Sequence, residues 1–369
     1  LSDRTTDTAF GHFARHHDEH ARVCEKLGHN PLLASYGPAL LDKAVLDALC
    51  RWQQRSFYDV VRHNAVGLGK RHVAFADLPW DHFLPALSPS SRIHARHTVG
   101  LLDALTDAQV RERVNDGLPE TLEQVVQTYG HRYFKLKVGG QLQSDIDRLS
   151  AIASVLDRMP YPYHVSLDGN EQYQDASAFV ELLQTMRATP ALGRLLESIL
   201  FIEQPIARGH ALDTDVSGPE IGLPVIVDES DGTLDAFVQA KARGYSGISS
   251  KTCKGLYKSL LNAARCQVWN AALSEPRYFM SAEDLTVQAG LCLQQDLALV
   301  NLLGIRHVER NGHHYVNGLA SRTQQEQGLY LHAHPDLYEH SHGAVRLRIR
   351  DGQLEIASLA CVGYASQVM

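Results

Sequence analysis

From about residue 98 onward, short apolar and β-branched runs alternate with longer amphipathic segments. This alternation is typical of repeated βα units. The pattern predicts eight strands, at His97–Leu102, Tyr133–Val138, His164–Asp168, Ile199–Gln204, Val225–Asp228, Gly247–Lys251, Tyr278–Ser281 and Arg306–Arg310. Helical segments with apolar residues three and four positions apart lie between them, including Gln143–Arg158, Leu234–Arg243, Leu256–Ala271 and Val287–Leu303. Eight strands with intervening helices predict an α/β fold, a (β/α)8 barrel of the TIM type.

The two ends of the chain have different patterns. Three helical segments, Phe10–Leu27, Leu40–Trp52 and Phe57–Ala65, precede a Pro- and Ser-rich connection at Leu78–Ser91. Near the other end, Asp351-Gly352 separates two alternating segments, Ala344–Ile349 and Leu354–Leu359, which predicts a β-hairpin with a type I′ turn. We expect the hairpin to lie outside the barrel and to join the N-terminal helices in an α+β capping domain. The predicted division is 1–95 for the N-terminal capping region, 96–325 for the barrel with the active site, and 326–369 for the C-terminal return to the capping domain.

Composition excludes several classes of protein. The 369 residues are 44% hydrophobic and 21% charged, as in ordinary globular proteins. A net charge of −7 without a Lys/Arg run argues against a nucleic acid partner. No apolar stretch reaches the ~18 to 20 residues that cross a bilayer, and the first residues lack the pattern of a signal peptide. We therefore expect a cytoplasmic protein with no membrane partner.

Cysteine and histidine do not predict a metal site. The six cysteines have no CxxC spacing, so we expect free thiols rather than bridges or zinc ligands. The 20 histidines group at His12, His16, His17 and His20, at His313 and His314, and at His332, His334, His340 and His342. We expect a solvated helix face for the first group. Because Pro335 interrupts helical pairing in the tail group, we expect a surface loop there.

Charged residues stand at the carboxyl ends of consecutive predicted strands. Lys135 and Lys137, two positions apart on strand two, both point into the barrel, where a lysine needs a negative partner or a function. Asp168, Glu203 and Asp228 stand at the ends of strands three, four and five. Neighbouring carboxylates repel one another unless a cation lies between them, and oxygen ligands with room for water select Mg²⁺.

A further lysine, Lys251, ends strand six, nearly across the barrel from Lys137. The order KxK, DxN, EQP and DES, followed by this lysine, resembles the enolase superfamily, and within it the muconate lactonizing enzyme-like subgroup of the mandelate racemase/muconate lactonizing enzyme family. The similarity extends over residues 35–369. The mandelate racemase subgroup, with a histidine on strand seven and an aspartate on strand six, does not fit, because strand seven supplies no histidine.

The resemblance implies a Mg²⁺-dependent enzyme that removes the proton α to a carboxylate of a small molecule and forms a metal-stabilised enediolate. It implies Asp168, Glu203 and Asp228 as metal ligands, Lys137 and Lys251 as acid/base groups on opposite faces of the substrate, and Lys135 as a contact of the substrate carboxylate. By analogy with the fold family we expect a homo-oligomer. The family usually begins with strands of the capping sheet, whereas this chain begins with a helical segment, so we expect that leader to be short, divergent or missing.

Other residues are candidates for substrate binding: Asn170 in the DxN motif, Glu283 and Asp284 after strand seven, and Asn311 and His313 after strand eight. The segment after strand eight lacks the Asp-x-Asp of dipeptide epimerases, which argues against a dipeptide substrate. For Lys254 we expect a solvated loop position.

Two opposed lysines predict a racemase or epimerase, because a base on each face is the minimum for inverting a stereocentre. An acid-sugar dehydratase or a cycloisomerase on the same scaffold is the alternative enzyme. A binding or scaffold protein that keeps the metal site, and an aldolase that uses a lysine Schiff base without a metal, are the alternatives of other classes.

Overall fold

The computed structural model describes residues 5–283 and 288–368, and every structural statement below refers to them. The helices are α1 (Ala9–Lys26), α2 (Pro31–Trp52), α3 (Phe57–Arg62), α4 (Trp80–Ala86), α5 (Leu122–Tyr129), α6 (Leu142–Leu156), α7 (Ala176–Ala188), α8 (Gly193–Glu197), α9 (Arg208–Ala211), α10 (Ala236–Ala242), α11 (Leu256–Asn270), α12 (Leu291–Leu302), α13 (Gly312–Tyr315) and α14 (Gln324–Ala333). Within this part of the chain, no helix is long and apolar enough to cross a membrane.

The strands are β1 (Arg92–Val99), β2 (Tyr133–Lys137), β3 (His164–Asp168), β4 (Ile199–Glu203), β5 (Val225–Val227), β6 (Gly247–Ser250), β7 (Phe279–Ala282), β8 (His307–Glu309), β9 (Tyr338–Ser341), β10 (Ala344–Leu347) and β11 (Gln353–Glu355). The eight predicted barrel strands are present. The first begins earlier than predicted and ends at Val99, because the Asp103 carboxylate accepts the Gly100 N–H in a turn that leaves Leu102 97% exposed.

The barrel strands form one curled parallel sheet in the order β8-β1-β2-β3-β4-β5-β6-β7. In the described residues no ladder joins β7 to β8. Arg96 on β1 nevertheless reaches β7, where its Nη2 donates to the Ala282 carbonyl at 3.0 Å. The curled parallel sheet confirms the α/β class and brings the carboxyl ends of its strands to one face.

The predicted C-terminal hairpin is present only at its turn, where Arg350 and Gln353 pair antiparallel. The predicted pairing of Ala344–Ile349 with Leu354–Leu359 is wrong. Asp351 and Gly352 do form a turn with positive φ, of 50° and 69°. The strands on its two sides have other partners, however: β10 pairs with β9, and β11 pairs antiparallel with the first residues of β1. Because β1 begins ahead of its parallel neighbours, Arg92–His94 offer a free edge that β11 covers, and the tail joins the barrel sheet.

The predicted N-terminal helices are present as α1, α2 and α3, and the Pro- and Ser-rich connection holds α4. Phe10 of α1 packs against Tyr257 of α11, with ring centroids 5.4 Å apart. On α2, the Ser35 hydroxyl donates to the Cys253 carbonyl at 3.1 Å, which fixes α2 over the carboxyl end of β6. The predicted boundaries between capping region and barrel stay predictions.

The tail histidines do not share one surface loop. His332 is on α14, His340 is on β9 and His342 is in the turn between β9 and β10. His334 is completely buried, and its Nδ1 shares a hydrogen bond with the Ser358 hydroxyl at 2.9 Å. Its position after α14 turns the ring inward, towards Tyr338.

A half-buried histidine on β8, His307, makes the stability of the fold depend on pH. His307 Nδ1 lies 2.6 Å from the Arg96 guanidinium, which requires an unprotonated acceptor. Burial, and then the charge of Arg96, lower the pKa of His307 well below the usual 6.5. In the unfolded chain the ring binds a proton as the pH falls below 6.5, whereas the folded protein does not, so this contribution is fully present above pH 6.5 and is lost as the pH falls.

His307→Gln keeps an acceptor for Arg96 and removes the titration. We expect the free energy of unfolding of the wild type to fall below pH 6 by about 1.4 kcal/mol per pH unit more steeply than that of the variant. Urea unfolding of both proteins at several values between pH 7.5 and 5 measures this difference. Parallel pH profiles would contradict it.

Candidate active site

Three buried carboxylates stand at the same end of neighbouring strands. Asp168 ends β3, Glu203 ends β4, and Asp228 follows β5 directly. Each is at most 2% exposed. Because all strands of the sheet are parallel, their carboxyl ends lie on one face, as predicted for the site.

Lys135 is the centre of the cluster. Its Nζ lies 2.9 Å from Asp168 Oδ2, 2.8 Å from Glu203 Oε1, and 3.1 Å from both Glu283 Oε2 and Glu309 Oε2. These carboxylates come from β3, β4, the residue after β7, and β8, so the curled sheet is required to assemble them. Burial favours a neutral amine, but the four carboxylates raise the pKa of Lys135 well above its usual value. Lys135 is therefore a buried cation that four strands share.

The two predicted acid/base lysines bind different carboxylates. Lys137 Nζ donates to the Asp168 carboxylate and, at 2.7 Å, to Asn170 Oδ1. Lys251 Nζ donates to Asp228 Oδ2 at 2.6 Å. Since β3 and β5 flank β4, the two lysines stand on either side of Glu203. Both side chains keep partial access to solvent, 25% for Lys137 and 12% for Lys251.

Lys254 is not a solvated loop residue. It is 3% exposed, and its Nζ donates to the Asp228 carbonyl at 2.7 Å and the Ser249 hydroxyl at 2.6 Å, with Asp228 Oδ1 at 2.8 Å. The reason is the 3-10 turn Thr252–Lys254, which folds the side chain back beneath β5 and β6. Against the effect of burial, Lys251 and Lys254 hold the pKa of Asp228 well below its usual range.

The environment of Glu203 disfavours its ionised form. Burial first, and then the charge of Asp168, raise its pKa well above the usual value. Its Oε2 is buried without a hydrogen-bond partner. The carboxylate oxygens of Asp168, Glu203 and Asp228 do not all lie within 4.8 Å of one another. Lysines bind each of these carboxylates instead. A set of carboxylate oxygens with an unpartnered oxygen in its middle fits a divalent cation such as Mg²⁺.

The other predicted substrate contacts have different locations. Glu283 is buried, bound to Arg96 and, at 2.6 Å, to the Ser281 hydroxyl. Asn311 donates to Glu309 Oε1 at 2.8 Å, so it supports the carboxylate cluster. Asp284 lies outside the described residues.

The structure does not bring His313 to the carboxylates. Helix α13 turns the chain away after β8, and the His313 ring packs against His97 and His131 on the outer side of the sheet.

Sequence reasoning missed Arg96 and Thr98. They alternate on β1 with His97, and point inward to Glu283 and Glu309 respectively. The run of polar residues on this strand could have identified them. Successive side chains of a strand point to opposite faces, and on a central strand neither face is solvated, so Arg96 and Thr98 require buried polar partners.

A cavity of about 250 Å³ adjoins the cluster. Its lining includes Lys251, Thr252 and Glu283 from the carboxyl side of the parallel sheet, and Tyr36 and Lys43 from α2. Lys43 is 6% exposed, and among the described residues it has no carboxylate within the 4.0 Å of an ion pair. The capping helix therefore contributes an ammonium group to the same cavity as Lys251.

Comparisons with known proteins agree with this architecture. The family model for enolase C-terminal domain-like proteins matches residues 117–360. No curated protein sequence matches the chain. A muconate cycloisomerase from Pseudomonas fluorescens is 17% identical, with a TM-score of 0.55 over 91% of this chain and 72% of that one.

Two further solved structures are similar over nearly the whole chain. The 3,6-anhydro-D-galactonate cycloisomerase from Zobellia galactanivorans is 14% identical, with a TM-score of 0.59 over 98% of this chain and 80% of that one. An isomerase from Streptomyces coelicolor A3(2) is 16% identical, with a TM-score of 0.58 over 100% of this chain and 80% of that one. At these identities the likeness establishes the fold.

Proposed function

The chain belongs to the enolase C-terminal domain-like family, and on this premise we propose that it is a Mg²⁺-dependent enzyme that removes the α-proton of a small-molecule carboxylate. The proposal includes a closed (β/α)8 barrel, in which Arg96 crosses from β1 to the end of β7. Asp168, Glu203 and Asp228 would hold Mg²⁺, which when bound lowers the free energy of negative charge on the substrate carboxylate.

The observation that carries the proposal is the pairing of Lys137 with Asp168 and of Lys251 with Asp228, on either side of Glu203. One lysine takes the α-proton from one face of the substrate, and the other returns a proton to the opposite face. The product is the inverted stereocentre, so we assign the reaction to a racemase or epimerase. A positioned acid or base contributes typically 10²- to 10⁴-fold to the rate.

Lys135 has a different task. It is too deeply buried between four carboxylates to exchange protons with solvent. Its fixed positive charge lies at the bottom of the site, where an enediolate dianion develops, and preorganised charge of this kind stabilises the transition state. We therefore assign Lys135 an electrostatic role towards the substrate carboxylate and leave proton transfer to the other two lysines.

The experiment is α-hydrogen exchange in D₂O. Acid sugars, N-acyl amino acids and hydroxy acids are incubated with the protein and Mg²⁺, and deuterium is followed by NMR. We expect deuterium at the α-position of both stereoisomers, and no exchange in EDTA. Formation of a keto acid would identify a dehydratase, and an isomer formed without inversion at this carbon would identify a cycloisomerase.

Two further outcomes would overturn the enzyme class. Full activity in EDTA, together with borohydride trapping of the substrate, would identify a Schiff-base aldolase. Binding of a carboxylate without exchange, unchanged by Lys137→Ala and by Lys251→Ala, would identify a binding protein.

Lys43 gives a prediction for substrate affinity. Lys43→Met removes the ammonium group that α2 contributes to the cavity. Since a hydrogen bond to a charged group is worth about 1.5–3 kcal/mol, we expect KM to rise roughly 10- to 100-fold with kcat almost unchanged. Steady-state kinetics measure both constants, and Lys26→Met on the exposed face of α1 is the control. A fall in kcat at constant KM would show that Lys43 does not act through substrate binding.

A further inference from the structure

A second group of potential metal ligands lies on the outer side of the barrel sheet. β1 pairs with β2 on one side and with β8 on the other. His97 points outward from β1, His131 stands two residues before β2, and His313 is in α13, just after β8. The pairing of the three strands therefore brings together three histidines that are far apart in sequence.

The ring nitrogens converge closely. His313 Nε2 lies 3.1 Å from His97 Nδ1 and 3.2 Å from His131 Nε2. All three nitrogens lie within 4.8 Å of one another, the only such group among the described residues. The three side chains are at most 4% exposed. Bulk solvent therefore has almost no access to these nitrogens.

Hydrogen bonds do not satisfy the group fully. His131 Nδ1 lies 3.0 Å from the Ala95 carbonyl, which can only accept, so Nδ1 carries the proton and Nε2 presents a lone pair. If His313 carries its proton on Nε2, that single N–H must serve both His131 and His97. If it carries the proton on Nδ1, two lone pairs face each other at 3.2 Å. In either case His313 Nδ1 is buried without a hydrogen-bond partner.

Protonation of the rings does not supply the missing hydrogen bonds. Burial lowers the pKa of each ring, to about 4 for His131, so the rings are neutral at pH 7. Neutral imidazole is the form that binds transition metals. The bond from His131 to the Ala95 carbonyl is also the usual means by which a ligating histidine is oriented.

We propose that His97, His131 and His313 form a zinc site, separate from the Mg²⁺ site and independent of the proposed activity. Three nitrogens bound tetrahedrally to zinc at about 2.05 Å are about 3.3 Å apart, close to the two short separations here. Imidazole nitrogen selects Zn²⁺ over Mg²⁺, whereas the carboxylates inside the barrel have the opposite preference. The ion would join β8, β1 and the start of β2 from outside, with water at the fourth position.

Two charged residues near the three histidines have opposite effects on a bound cation. Arg346 bonds to the Tyr129 hydroxyl at 2.8 Å, beside His313, and opposes a cation there. The charge of Glu309 acts on His97 in the opposite sense. The geometry must therefore supply the affinity.

The experiment titrates the metal-stripped full chain with Zn²⁺ and with Co²⁺. We expect one tightly bound Zn²⁺ per chain in the presence of millimolar Mg²⁺, and a Co²⁺ complex with the visible absorption bands of tetrahedral nitrogen coordination. His313→Gln is expected to weaken binding at least 100-fold and to abolish those bands. His314→Gln, the adjacent residue of the same helix, and Glu203→Gln at the carboxylates are expected to leave them unchanged.

X-ray absorption on the zinc-loaded wild type gives a result that does not depend on how a variant folds. Three imidazole nitrogens at about 2.0 Å are expected. Oxygen ligands alone, loss of the bands in Glu203→Gln, or the absence of stoichiometric zinc would overturn the proposal and leave the three rings as a hydrogen-bonded part of the core.

Discussion

Lys135→Met is expected to lower the free energy of unfolding of the metal-free protein by about 3–5 kcal/mol, the typical cost of removing one partner from a buried ion pair. Asp168, Glu203, Glu283 and Glu309 all lie within 3.1 Å of its ammonium group. Without it, Arg96 remains as a buried cation on Glu283, but Glu203 keeps no ion-pair partner among residues 5–283 and 288–368. The buried carboxylates must then take up protons or repel one another.

Urea unfolding in EDTA measures the effect, with Lys43→Met as the matched control. That variant also replaces a buried lysine, but one with no ion-pair partner among the described residues, so little loss of stability is expected. Mg²⁺ is expected to stabilise Lys135→Met more than the wild type, since the ion supplies positive charge to the same carboxylates. Equal stability of the two variants would show that the lysine and its carboxylates are not coupled as described.

The sequence was sufficient where the signal is local. Strands β3, β4 and β5 follow from short apolar runs, and a carboxylate stands at or directly after the carboxyl end of each. In a parallel sheet this end is one face, so Asp168, Glu203 and Asp228 could be placed together without coordinates. The helices could be predicted for the same reason, because their periodicity is contained within each segment.

The features that the sequence does not predict depend on residues that are distant in the chain. The turn at Asp351-Gly352 is local and was predicted correctly, but which strand β11 joins depends on where β1 begins. The sequence predicts a solvated Lys254, because a lysine in a loop usually is solvated. Its burial follows from the Ser249 hydroxyl on the preceding strand β6 and from the Asp228 carbonyl after β5, and the second of these partners is 26 residues away.

His97, His131 and His313 illustrate the same limit. Each is isolated from the other two in sequence, and only the pairing of β1 with both β2 and β8 unites them. The position of His313 after strand eight predicts a place on the substrate side, whereas the one-turn helix α13 directs the side chain away from it.

Lys137→Met and Lys251→Met are each expected to reduce racemisation or epimerisation by about 10²- to 10⁴-fold, the usual contribution of one general acid or base. Exchange should respond differently. Each lysine removes the proton from one face, so each variant is expected to keep deuterium exchange with one stereoisomer and to lose it with the other, and the two variants should have opposite preferences.

This reciprocal pattern separates catalysis from a loss of structure. Each lysine binds a predicted metal ligand, so Mg²⁺ affinity and the unfolding midpoint are measured for both variants, with Lys70→Met at an exposed position as the control. An enzyme that uses one base, such as a dehydratase, would lose turnover in only one of the two variants. If both variants lost exchange with both stereoisomers while Mg²⁺ still bound, the lysines would not stand on opposite faces of the substrate, and the assignment to a two-base racemase would be wrong.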